Sequence, residues 1–62
     1  MYRINYSDGR KVECDTRAEA VAELESECEV VEECGGRWLG WESEADAEGD
    51  DGANAVAEIV KQ

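Results

Sequence analysis

The stretch Tyr2-Arg3-Ile4-Asn5-Tyr6-Ser7-Asp8-Gly9-Arg10-Lys11-Val12-Glu13-Cys14 decides how this chain folds. Tyr2, Ile4 and Tyr6 alternate with Arg3, Asn5 and Ser7, the two-residue period of a strand. Asp8-Gly9 signals a turn, and Lys11-Val12-Glu13-Cys14 alternates again. A two-residue Asp8-Gly9 loop sets Tyr6 opposite Lys11 and Ile4 opposite Glu13, mixing apolar and charged faces. A three-residue Ser7-Asp8-Gly9 loop, with Gly9 left-handed, pairs Ile4 with Val12 and Tyr2 with Cys14. It also places Arg3 across from Glu13, a favourable pair. The three-residue loop is therefore the expected register.

Thr16-Arg17-Ala18-Glu19 is a capping box that opens a helix running to about Cys28. Val21, Leu24 and Cys28, with Ala20, form its apolar stripe. Glu19, Glu23 and Glu27 recur on another face without an interleaved lysine, so these pairs repel and packing must hold the helix. Glu29 to Cys34 reads as a third strand and Gly35-Gly36 as a hairpin turn. Arg37 to Glu42 reads as a fourth strand. Trp38 and Trp41 have opposite parity in it, and Gly40 between them marks a bulge or a close backbone approach.

Glu42 to Gly52 reads as an acidic loop. Asp50 or Asp51 then caps a helix from Ala53 to about Lys61, with Val56, Ile59 and Val60 on its apolar face. Ala18-Glu-Ala-Val-Ala-Glu-Leu24 aligns with Ala53-Asn-Ala-Val-Ala-Glu-Ile59, so the layout reads as ββα twice. The expected fold is one α+β domain over residues 1–62. It has an antiparallel sheet of up to four strands and two helices on one face, in ββαββα order.

Charge bears most directly on function. Seventeen acids against six bases, with no histidine, give a formal charge of -11. Seven acids and no base lie between Ala18 and Gly36, and seven more with no base between Trp38 and Val60. So small a domain has little core to set against this self-repulsion. The acidity opposes binding to nucleic acid or anionic lipid. No stretch approaches the roughly 20 apolar residues of a membrane span. Met1 leads straight into Tyr2-Arg3-Ile4-Asn5, unlike a signal peptide. The expected setting is cytoplasmic.

Three cysteines, Cys14, Cys28 and Cys34, are an odd set for a disulfide framework and lack zinc-ligand spacing, so they read as small buried hydrophobes. With no histidine and no base beside a cysteine, catalysis is not expected. Asp46-x-Glu48-x-Asp50 begins like a calcium loop, but Asp51 and Ala57 stand where glycine and glutamate are required. No cofactor or metal is expected.

The acid spacing suggests a mimic of nucleic acid. Duplex DNA presents closely spaced negative charge, with phosphates about 6–7 Å apart along a strand. Alternate residues of an extended chain lie about 6.6 Å apart, and Glu42, Glu44, Asp46, Glu48 and Asp50 follow that alternation, with Asp51 beside them. Helical residues four apart rise about 6 Å, as with Glu19, Glu23 and Glu27. These acids are the candidate partner-binding residues. Trp38 joins them as a candidate anchor for a basic, partly apolar groove.

The Met1–Cys14 hairpin, the glutamate-rich helix Ala18–Glu29 and the 42–51 acidic run together resemble the small acidic anti-CRISPR proteins of phages and mobile elements, in particular inhibitors of type I-C systems. The resemblance implies a non-enzymatic, monomeric inhibitor in the bacterial host cytoplasm. It would bind a basic DNA-binding surface of the multi-subunit surveillance complex and block target DNA. Two other readings remain open: a small acidic protein of a salt-loving organism, and an antitoxin-like partner of a basic protein.

Overall fold

The computed structural model describes residues 1–62. It is an α+β fold: β1 (Tyr2–Tyr6), β2 (Lys11–Cys14), α1 (Arg17–Glu27), β3 (Val30–Cys34), β4 (Arg37–Trp41), α2 (Glu44–Ala47) and β5 (Ala57–Lys61). The five strands form one antiparallel sheet in the order β2-β1-β5-β4-β3. No helix is long and apolar enough to cross a membrane.

The β1–β2 hairpin has the three-residue loop. Tyr2 pairs with Cys14, Arg3 with Glu13 and Ile4 with Val12. The Tyr6 N–H donates to the Arg10 carbonyl at 2.9 Å, and Gly9 takes φ 97° at the turn. Such a conformation is open to glycine without steric cost. The Asp8 carboxylate accepts from the Arg10 N–H at 3.0 Å and fixes the loop from the side.

At the start of α1, the Thr16 hydroxyl accepts from the Glu19 N–H at 3.1 Å, the N-cap half of the expected capping box. The helix lies across one face of the sheet. Its Ala20 and Leu24 are fully buried and pack with Cys28 against Ile4, Tyr6, Ala57 and Ile59. Tyr2, Val12, Cys14, Val21, Val31 and Trp38 seal the rim of this core.

Gly40 explains how the helix gets so close. A Cβ at this position would lie 2.7 Å from the Cys28 Sγ and 3.1 Å from a Leu24 methyl. Pairing of β3 with β4 runs unbroken from Val30–Trp41 to Cys34–Arg37, so Gly40 marks close approach and not a bulge. The opposite parity of the tryptophans follows from both faces being covered. Trp38 joins the core under α1, whereas Trp41 and Leu39 face the other way and are each 2% exposed.

The second half departs from the ββα repeat. The C-terminal segment expected as a helix forms a strand, β5, and it occupies the centre of the sheet between β1 and β4. Ile59 pairs with both Ile4 and Trp38, and Ala57 with both Tyr6 and Gly40. Ala57 and Ile59 bury alternately under α1, so the period is that of a strand and not of a helix. The sheet has five strands instead of four. The second helix lies earlier, in the acidic run; it is a single turn beside β4 with no buried residue, and it borders the face opposite α1 through a recess shared with Glu32.

Candidate functional site

The candidate acids fall into two groups on opposite faces. Glu19, Glu23 and Glu27 are exposed on α1, whose regular turns preserve their four-residue repeat. The stripe borders the β1–β2 side of the sheet. Glu19 and Glu23 raise the Cys14 thiol pKa, after the larger effect of burial. Glu27 and Glu23, again after burial, do the same to the Tyr6 phenol. Glu27 and Glu42 line one recess with Tyr6, Asp8 and Arg10, so Glu42 continues the stripe beyond the end of the helix.

Arg10 is the only base set into this stripe. It meets Asp8 at 2.9 Å and Glu27 at 3.7 Å, and its guanidinium stands 4.4 Å above the Tyr6 ring. The remaining ion pairs are Arg3–Glu13 and Arg37–Glu58. Thus four of the seventeen acids (Asp8, Glu13, Glu27 and Glu58) are paired, leaving thirteen without an ion-pair partner.

The 42–51 run is not the extended ladder that its alternation suggests. Ser43 accepts from the Asp46 N–H and starts α2, so Glu44 and Asp46 occupy one helical turn. Glu44 and Glu48 instead share an open recess with Glu32 and Asp50. Asp51 is exposed on the turn that follows.

Asp50 has a structural task. One carboxylate oxygen, Oδ2, accepts from Trp41 Nε1–H at 2.8 Å, the Gly52 N–H at 2.9 Å and the Asn54 N–H at 3.0 Å. Asp50 therefore does cap backbone N–H groups, but those of a turn and not of a helix. This turn carries Gly52 over the Leu39 side chain and closes the second face of the sheet. The Trp41 hydrogen bond, and then those from Asn54 and Gly52, hold the Asp50 carboxyl below its ordinary pKa of 3.8.

A lowered native pKa makes ionised Asp50 stabilising at neutral pH. That contribution is lost as pH falls through the native value. The stability difference between wild type and Asp50→Asn should therefore hold steady from about pH 7 to about pH 5 and shrink as the pH is lowered below about 4. Urea denaturation followed by tryptophan fluorescence measures it; a pH-independent difference contradicts the assignment.

No family model, curated protein or solved structure matches this chain.

Trp38 is half-buried against the α1 core and does not stand free on a sheet surface. Its indole N–H is buried without a hydrogen-bond partner. The three cysteines are free thiols; Cys28 is buried, and Cys14 and Cys34 are partly so. Burial, followed by Glu27 and Glu42, raises the Cys28 thiol pKa and keeps it protonated. No three carboxylates or thiols converge at metal-binding distance. The sequence reading did not single out Glu32 and Glu33. They lie on an edge strand, and strand order is not visible in local periodicity.

Proposed function

We propose that this protein is a DNA-mimicking inhibitor whose α1 stripe occupies a basic DNA-binding surface. The carrying observation is the regular row Glu19, Glu23 and Glu27, continued by Glu42 on an adjoining element. Its repeat of about 6 Å along the helix suits a groove built for phosphates. The row rests on a helix pinned to the sheet by Ala20 and Leu24, so its charges come pre-arranged. Resemblance to small acidic anti-CRISPR proteins supplies the particular partner, the surveillance complex of a type I, in particular type I-C, system.

Competition with duplex DNA for the purified complex tests this reading. Wild-type protein should displace DNA, and added salt should weaken the displacement. Joint reversal of Glu19, Glu23 and Glu27 to lysine should reduce competition roughly tenfold or more, since charge complementarity sets both encounter and register. Reversal of Glu44, Asp46 and Glu48, which lie on the far face, should leave it nearly intact. Undiminished competition by a folded stripe variant rules the reading out.

One observation favours the salt-loving alternative: unpaired acids lie on both faces. That reading demands unfolding in dilute buffer, where repulsion is least screened. A circular dichroism spectrum of a fully folded chain in dilute buffer excludes it.

A further inference from the structure

We propose that the outer edge of β3 is a docking strand for an extended basic segment of another protein, which adds antiparallel as a further strand of the sheet. This surface is separate from the α1 stripe, and the inference does not rest on the function proposed for that stripe. β3 is the last strand of the sheet order, so its outward main-chain N–H and C=O groups have no strand partner. Such an edge is a ready template for strand addition.

The side chains select the occupant. Glu32 pairs with Leu39 and so lies on the α2 face, whereas Glu33 pairs with Trp38 and lies on the α1 face. The edge therefore presents one carboxylate to each side. Glu44 and Glu48 deepen the negative field next to Glu32, because all three border one recess. The exposed Glu29 precedes the strand.

An added strand projects successive side chains to alternate faces. Two adjacent basic residues on it meet Glu32 and Glu33 together, and β-branched residues beside them fall opposite Val30 and Val31. Opposite charges directly across strands are favourable and like charges unfavourable. A second copy of this edge would set Glu32 and Glu33 against their own kind, so self-pairing is disfavoured. The other edge, β2, is one residue shorter and carries both Lys11 and Glu13, with Arg10 at its start. It offers no comparable selection for a basic strand.

The probe is the peptide acetyl-Thr-Lys-Arg-Val-Val-Thr-amide, titrated into the full ¹⁵N-labelled chain at about 50 mM salt, where screening is weak. Its Lys and Arg fall opposite Glu33 and Glu32 in antiparallel register. Amide shift changes should centre on residues 30–34, and exchange of edge amides with solvent should slow. The same peptide N-methylated at alternate residues keeps its charge but cannot complete the ladder, and should bind at least about tenfold more weakly. Joint Glu32→Lys and Glu33→Lys substitution should weaken the unmodified peptide by a similar factor. Equal binding of both peptides, shifts centred on α1 or β2, or no binding at millimolar peptide overturns the proposal.

Discussion

Leu24→Ala is expected to remove much of the stability of this protein. Leu24 is fully buried, and it meets both the sheet and the close-approach point at Gly40. Truncating a buried leucine costs about 2–5 kcal/mol, through lost transfer energy and the cavity left behind. A domain of this length has only about 3–9 kcal/mol in total, at roughly 0.05–0.15 kcal/mol per residue. The tight packing around Leu24 leaves little room for collapse into the space. Urea unfolding of wild type and variant should show a midpoint shift of half the transition or more. Glu25→Ala, on an exposed position of the same helix, should shift it by less than about 0.5 kcal/mol. A Leu24→Ala loss below about 1 kcal/mol contradicts the packing described.

The second large effect is expected at Gly40. Gly40→Ala puts a methyl group 2.7 Å from the Cys28 sulfur, below any ordinary contact distance. Either α1 lifts from the sheet or Cys28 shifts, and overpacking of this kind costs about 1–3 kcal/mol. Removing the sulfur gives a sharper test. Cys28→Ala alone leaves a small void, whereas Gly40→Ala with Cys28→Ala fills that void with the new methyl. The double variant should be more stable than the sum of the single effects predicts, by about 0.5 kcal/mol or more. Strict additivity in thermal or urea unfolding refutes close approach as the role of Gly40.

The first half of the fold was legible because its local signals agree with one another. Loop chemistry at Ser7-Asp8-Gly9 and face matching of Ile4 with Val12 selected the same register, and Thr16 marked the helix start. The second half was ambiguous for a physical reason. Ala53-Asn-Ala-Val-Ala-Glu-Ile59 carries nearly the letters of the α1 segment, and alanine-rich runs suit a helix. The gap between β1 and β4 overrides that propensity, since an inserted strand pairs on both sides and buries Ala57 and Ile59.

Within the candidate site, the helical glutamates kept their predicted arrangement because a capped helix fixes spacing locally. The acidic run lost its ladder to a signal present in the sequence. Ser43-Glu44-Ala45-Asp46 has the hydroxyl-then-acid spacing that starts a helix, and Asp50-Asp51-Gly52 marks an aspartate-led turn. The tie of Asp50 to Trp41 depends on tertiary placement and could not be read locally.

The central position of β5 has a consequence for how the molecule assembles. The β1–β2 and β3–β4 hairpins share no ladder with each other; each joins the sheet only through residues 57–61. Ile4 and Ile59 come from opposite ends of the chain, so their pairing closes a long loop before it gains any contact. Until that closure, two small hairpins and a self-repelling helix have no common sheet. The last strand is therefore the keystone between two halves, and without it there is no continuous sheet.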